Sequence, residues 1–550
     1  MAPMRRDRIA DNGVFMFTNL LAKKSVEQIQ AEAQAGTLKR TLGKWNLVSL
    51  GIGCIIGAGI FVMTGTAAAN HAGPALMLSF IFTGIACAFV GLCYAELASV
   101  LPISGSAYTY AYATLGELLA WIMGWLLVLE YGVAASTVAV GWAGYINSFL
   151  LGLGVIIPPE FTAASNTPVK VTDVYHPMFV EMGYGFNADG FLTKAGALVK
   201  GVFNLPAFVG IMAVTSLLIV GVSESAKVNN IIVFIKLAVV VLFVAIGFFY
   251  VDPANWQPFI PENTGPGEYG WDGIFRAASI IFFAYVGFEA VSTAAQEAKT
   301  PQKDMPFGIL GSLLVCTALY MGVAAVMTGI VPYKELAVAD PMAVAVDKIG
   351  LGWFAFLIKV GAIMGLSSVM MVLIYGQTRI AYVMSRDGLL PGVFSRVHKK
   401  FRTPHINTLI IGLIAGVAAG ITPITLLGDL VSLGTLMAFI IVCFSVLYLR
   451  RKQPQLARPF KTPGMPFVPL LGIATCGYLV FSIFMGTNAS GEIVLTESGG
   501  HVLSLTGPYM LLGLALYLVY GARKSKLRHG EAPRPGDPEF VAEPHEPQVD

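Results

Sequence analysis

The chain has 550 residues, 56% of them hydrophobic and 12% charged, with a net charge of +3 and a mean hydropathy of +0.71. So little charge in so long a chain excludes a water-soluble domain and predicts an all-α polytopic membrane protein. The six cysteines (Cys54, Cys87, Cys93, Cys316, Cys443 and Cys476) all fall in apolar runs without metal-ligand spacing, so neither a disulfide framework nor a metal centre is expected.

Residues 1–44 form a polar arm, read as cytoplasmic. It has no apolar core with a small-residue cleavage site, so it is not a cleaved signal peptide. Phe15, Phe17, Leu20 and Leu21 fit an amphipathic segment lying on the membrane surface. Apolar segments follow at 46–69, 75–100, 118–150, 206–223, 228–250, 271–294, 306–330, 351–383, 405–421, 429–449, 466–485 and 506–521. They predict twelve transmembrane helices. With both termini inside, the cytoplasmic segments carry 26 Lys and Arg residues and the outer segments 5, which orients the chain. The loop 151–205 reads as an outer cap or a disordered excursion, and 530–550, rich in Pro and Glu, as a disordered tail.

The first span contains Gly51-Ile52-Gly53-Cys54-Ile55-Ile56-Gly57-Ala58-Gly59-Ile60-Phe61. Two readings fit the window. Gly53 and Gly57, four apart, suit a packing face of small residues. Alternatively the helix breaks at mid-membrane, which lipid permits only where the freed backbone faces protein or a water-filled cavity. A break of this kind would offer the N–H groups of Ala58, Gly59 and Ile60 to a carboxylate and the C=O group of Ile55 to an ammonium.

Glu130 lies mid-span in the third helix, so it is either neutral and bonded to backbone or a carboxylate that orders a pocket or moves a proton. Lys236 lies nine residues into span five, roughly 14 Å deep at 1.5 Å per residue. It is too deep to snorkel, and is either a structural lysine bonded to carbonyls or a proton carrier seated against the span-one break. Arg276 and Lys359 lie near outer span ends and read as snorkelled charges, and Glu96 as a cap or ion pair for the loop after span two.

Span six, Ala278-Ser279-Ile280-Ile281-Phe282-Phe283-Ala284-Tyr285-Val286-Gly287-Phe288-Glu289, is interrupted near its middle as span one is. Five steps separate the two, so they cross the membrane in opposite directions. Paired interruptions at matching positions of two halves point to an inverted-repeat transporter, with Phe283, Ala284 and Val286 adding acceptors for an ammonium. Glu289, just inside the break, suits gating or structure. In span eight, Ser367 and Ser368 would more simply bond their own helix carbonyls than hold sodium, and Met370 and Met371 could wall a side-chain pocket.

Several stretches resemble the cationic amino acid transporter branch of the amino acid–polyamine–organocation superfamily. They are Leu38-Lys39-Arg40-Thr41-Leu42 leading to Gly57-Ala58-Gly59-Ile60-Phe61, Tyr94-Ala95-Glu96-Leu97, Pro102-Ile103-Ser104-Gly105-Ser106, Asn229-Asn230 with Lys236, and Phe283 to Glu289. Thr300-Pro301-Gln302-Lys303-Asp304, Tyr375-Gly376-Gln377-Thr378-Arg379 and Arg458-Pro459-Phe460-Lys461-Thr462-Pro463 continue the series. The likeness runs over 38–485, and twelve spans resemble bacterial rather than animal members, which implies the bacterial inner membrane. Ala58 stands where some relatives have Thr, so one possible hydroxyl contact is absent.

The resemblance implies two five-helix inverted repeats, 45–250 and 251–450, then helices 11 and 12 over 451–522 and a cytoplasmic tail, 523–550. It also implies substrate contacts at the two breaks and a coupling role for Lys236. The expected function is secondary active transport of small neutral or cationic L-amino acids by alternating access, coupled to protons. The chain would work as a monomer, without cofactor, metal or nucleic acid. A cationic amino acid exchanger and a non-transporting sensor are the alternatives. An enzyme is not expected, because no nucleophile–base pair appears.

Overall fold

Long runs of Leu, Ile, Val and Ala fold as helices because lipid offers backbone N–H and C=O groups no other partner. The computed structural model describes residues 42–101, 106–187, 190–221, 226–293, 298–488 and 490–528. The arm's surface segment and the 530–550 tail lie outside them. In chain order the principal helices are α1 (Lys44–Ile55), α2 (Leu76–Val100), α3 (Ser106–Thr114), α4 (Glu117–Gly152), α5 (Leu205–Val220), α6 (Ala226–Gly247) and α7 (Gly270–Ile281). They continue as α8 (Pro301–Ile330), α9 (Pro341–Ile349), α10 (Gly352–Arg386), α11 (His405–Ile421), α12 (Ile424–Lys452), α13 (Phe467–Phe484) and α14 (Glu497–Leu516). Eight stretches of described helix are long and apolar enough to cross a membrane, and Leu205–Val220 and His405–Ile421 are shorter apolar helices. The protein is a multi-pass membrane protein.

The loop before α5 is ordered. Strands β1 (Gly185–Phe186), β2 (Leu192–Lys194) and β3 (Ala197–Leu198) form a small antiparallel sheet. Val171, Tyr175, Phe179, Leu192 and Val199 give this cap an apolar centre of its own. Of the two readings of the loop, the cap is the one seen.

The charges at the span ends are not snorkelled. Lys359 is buried, with its ammonium 2.7 Å from Asp347 of α9 and donating to the Tyr175 hydroxyl of the cap at 2.9 Å. Arg276 is also buried, 2.6 Å from the Asp429 carboxylate of α12, and donates to Ser498 of α14 at 3.1 Å and Ser279 at 3.0 Å. A charge that finds an opposite charge inside the protein has no reason to reach for water. Glu96 likewise looks past its own loop: it receives two 2.7 Å bonds from Arg450 at the end of α12 and one at 2.8 Å from the Thr462 N–H. Glu117, at the start of α4, pairs with Arg528 at 2.8 Å and accepts from Tyr112, Tyr517 and Ser525, so the segment after α14 docks on the N-terminal end of α4.

These pairs predict an asymmetric response. Arg276→Met strands the buried Asp429 carboxylate and should cost about 3–5 kcal/mol, whereas Arg276→Met with Asp429→Leu should restore much of that loss. Thermal unfolding in detergent, followed by tryptophan fluorescence, checks it; equal destabilisation by the single and double variants would refute it.

Candidate functional site

Helix α1 ends where Ile56 turns extended (φ −70°, ψ 100°), its N–H closing the last bond to the Ile52 carbonyl at 2.9 Å. The ladder restarts when the Phe61 N–H donates to the Gly57 carbonyl at 3.4 Å, and runs on as a π turn over Gly59–Met63. The N–H groups of Ala58, Gly59 and Ile60 therefore precede the first bond of the second half-helix, the position at which every helix leaves donors free. In span six, α7 tightens into a 3-10 turn over Phe282–Tyr285, then Val286 is extended and Gly287 takes φ +114°. Only glycine adopts that angle without strain. A short helix, Ala290–Thr293, follows. Both predicted interruptions are present, and the intact halves α1 and α7 are 12 residues each.

The two breaks lie against each other. A Cβ on Gly59 would sit 2.1 Å from the Ala284 Cα, and one on Gly287 would sit 2.6 Å from the Cys54 carbonyl oxygen. Residue 59 thus faces 284 while residue 54 faces 287, so the chains cross in opposite directions, as the parity of the spans requires. Glycine here admits the neighbouring backbone, a closer approach than a packing face between intact helices needs.

Two side chains from outside the breaks occupy the freed carbonyls. The Lys236 ammonium of α6 donates to the Gly53 carbonyl at 2.8 Å and the Ile56 carbonyl at 3.1 Å. Lys236 is 2% exposed, and its stem passes α10 at Gly365, where a Cβ would come within 2.7 Å of the lysine Cγ. The Tyr320 hydroxyl of α8 donates to the Ile55 carbonyl at 2.9 Å and the Ala284 carbonyl at 3.1 Å, joining the two breaks. A carbonyl has two lone pairs, so Ile55 and Ala284 keep one each for a further donor. The Phe283 carbonyl accepts the Val286 N–H at 3.2 Å.

Glu289 binds its own backbone: its carboxylate accepts the Gly287 N–H at 2.8 Å, closing the start of the second half of span six. Glu130 is buried on α4, and its Oε2 has no hydrogen-bond partner among the described residues. Ser367 bonds its own helix at the Ile363 carbonyl, 2.8 Å away, and receives the Trp142 N–H at 2.9 Å. Met370 is buried and Met371 partly so, but the side chain facing Gly57 is Val369, 3.4 Å from where a Cβ would stand. Among the described residues no cluster of three His, Cys, Asp or Glu could hold a metal.

Tyr320, Gly365 and Val369 were not singled out from sequence. Gly361 and Gly365, four apart in span eight, carried a signal: they admit Val239 and Lys236 of α6. Tyr320 carried none, since its acceptor at Ile55 lies 265 residues away.

Antiparallel half-helices that present donors on one side and acceptors on the other form the candidate site of this multi-pass membrane protein. Residues 42–498 match the amino acid permease family model, and the chain belongs to that family, within the amino acid–polyamine–organocation superfamily. It is 44% identical over 511 residues to the branched-chain amino acid permease BcaP of Bacillus subtilis, covering 92% of this chain and 99% of that one. It is also 44% identical over 466 residues to the methylthioribose transporter of the same organism, covering 85% and 93%. The vacuolar cationic amino acid transporter 4 of Arabidopsis thaliana is 36% identical over 439 residues, 79% of this chain and 68% of that one.

Two substitutions test the geometry. Gly59→Ala puts a methyl group into the Ala284 backbone, so the breaks must part, and substrate binding should be lost while the detergent-purified protein stays monodisperse. Calorimetric binding at wild-type affinity would count against the contact. Tyr320→Phe frees two buried carbonyls and should lower stability by about 1–3 kcal/mol, read as a drop in unfolding temperature; an unchanged midpoint would refute the bridge.

Proposed function

We propose that the chain is a secondary active amino acid transporter of the bacterial inner membrane that works by alternating access with protons as the coupling ion. In this reading it has twelve spans in two inverted five-helix repeats plus two helices, both termini in the cytoplasm, and acts as a monomer without cofactor. The observation that carries it is the Lys236 ammonium resting on the Gly53 and Ile56 carbonyls, at the end of the inner half of span one.

The substrate carboxylate binds the N–H groups of Ala58, Gly59 and Ile60. A half-helix N-terminus favours an anion by about 0.3–1 kcal/mol when exposed and more when dehydrated. The substrate ammonium takes the remaining lone pairs of Ile55 and Ala284, with Phe283 and Val286 beside them. Protonated Lys236 holds α1 in this shape. Loss of its proton to the cytoplasm removes the charge that ties α1 to α6, and the inner half-helix can then move to open the site inward. A sodium ion would meet the lysine as a like charge whenever the lysine is protonated, which favours protons.

Neutral apolar side chains fit best, because Glu289 is engaged by backbone and Val369 faces Gly57. Met370 and Met371 lie on the adjoining positions of span eight. The branched-chain permease relative supports this choice. A second reading is methylthioribose, favoured by the equal identity of the relative bearing that name. This ligand lacks a carboxylate, so it would leave the half-helix donors to hydroxyl groups.

Uptake by protein reconstituted in liposomes decides between them. Leucine and alanine should enter down an inward proton gradient, indifferent to sodium, while arginine and methylthioribose should not compete. Lys236→Arg keeps a permanent charge and should reduce pH-driven uptake by about tenfold or more, as Lys236→Ala should. Full pH-driven uptake by the Arg variant would refute proton carriage by this residue, and competition by methylthioribose alone would refute the amino acid.

A further inference from the structure

At the inner end of α12 the chain turns back toward α13 around a recess of about 460 Å³, walled by backbone of residues 454–457 and by Arg450, Arg458 and Lys461. The floor is rigid. Arg458 donates to the Gln453 and Leu456 carbonyls at 2.8 Å and to the Leu449 carbonyl at 3.1 Å, which closes the C-terminus of α12. Glu96 of α2 holds Arg450 through its Nε and Nη2, and lies 3.4 Å from the Arg458 Nε. The recess is therefore fixed to the transmembrane bundle and not to a loose loop.

Its charge is unbalanced. Arg450 and Arg458 share the carboxylate of Glu96, Lys461 pairs with no carboxylate among the described residues, and Arg451 and Lys452 stand exposed on the adjoining turn. Among the described residues, neither the Lys461 ammonium nor the Arg450 Nη1 has an acceptor. The helices that lead into and out of the recess carry exposed apolar side chains: Phe444 on α12, before Arg450, and Phe467, Leu470 and Leu471 on the first turns of α13, after Lys461. Donors without acceptors next to an apolar ridge, at the end of the spans where the basic residues gather, match an amphiphilic anion. Basic pockets at this level of a membrane suit phosphate head groups.

We infer that this recess binds the phosphodiester of an anionic phospholipid from the cytoplasmic leaflet, with an acyl chain lying along Phe444 and Leu470. Lys461 and the free Nη1 of Arg450 hold the phosphate oxygens, and Arg458 supplies a fixed positive floor. The site is separate from the paired breaks, and its failure would leave the transport reading untouched.

Native mass spectrometry of the full chain, purified with phosphatidylglycerol or with phosphatidylcholine, reads the site directly. The wild type should retain phosphatidylglycerol in preference. Lys461→Ala should retain about fivefold less, the effect of one lysine at a membrane surface, whereas Lys400→Ala, in a different inner loop, should match the wild type. The unfolding midpoint should rise with phosphatidylglycerol and stay constant with inorganic phosphate at equal ionic strength. Equal retention by Lys461→Ala and the wild type would overturn the site. A midpoint shift with inorganic phosphate as large as with lipid would overturn the lipid and leave a free anion.

Discussion

Every backbone polar group released at the centre of a bilayer must find a partner, and that constraint governs this structure. Two helices stop short and restart, and carbonyls they free are met by side chains from two other spans, while span six closes on itself through Glu289. Lys236 takes the Gly53 and Ile56 carbonyls, Tyr320 the Ile55 and Ala284 carbonyls, and Glu289 the Gly287 N–H. Spans five and seven are thereby bound to spans one and six by hydrogen bonds as well as by close packing, such as Val233 against Gly53 and Val48 against Gly311.

Close approach makes those bonds reachable. Gly59 lets Ala284 in, Gly287 lets Cys54 in, and Gly365 lets the lysine stem pass. At the membrane surfaces the same economy is achieved with charge. Arg276 with Asp429, Lys359 with Asp347, and Arg450 with Glu96 each tie elements far apart in sequence, and each member would be costly alone in a buried setting.

Much of this was legible in the residues themselves. Gly57 and Gly59 around Ala58 left a packing face and a break equally open, and the matching interruption at Gly287 in span six turned the reading toward two breaks. The depth of Lys236 left two readings, a structural lysine bonded to carbonyls and a proton carrier seated against the break; the structure shows the carbonyl bonds, at Gly53 and Ile56. The partners at long range were not legible. Asp429 lies 153 residues from Arg276, and nothing local to either names the other. The sheet of the outer cap was hidden because strands of two or three residues are too short to carry a period. Glu289 read as gating or structure, and its bond to Gly287 N–H is of the structural kind.

The central claim is that the Lys236 ammonium holds the span-one break in shape. Amide hydrogen exchange of the detergent-purified protein, comparing wild type with Lys236→Met, tests it most directly. If the ammonium organises the break, peptides covering 50–62 and 282–290 should exchange faster in the variant, with the outer cap and α12 unchanged. Identical protection of those two segments in both proteins would contradict the account.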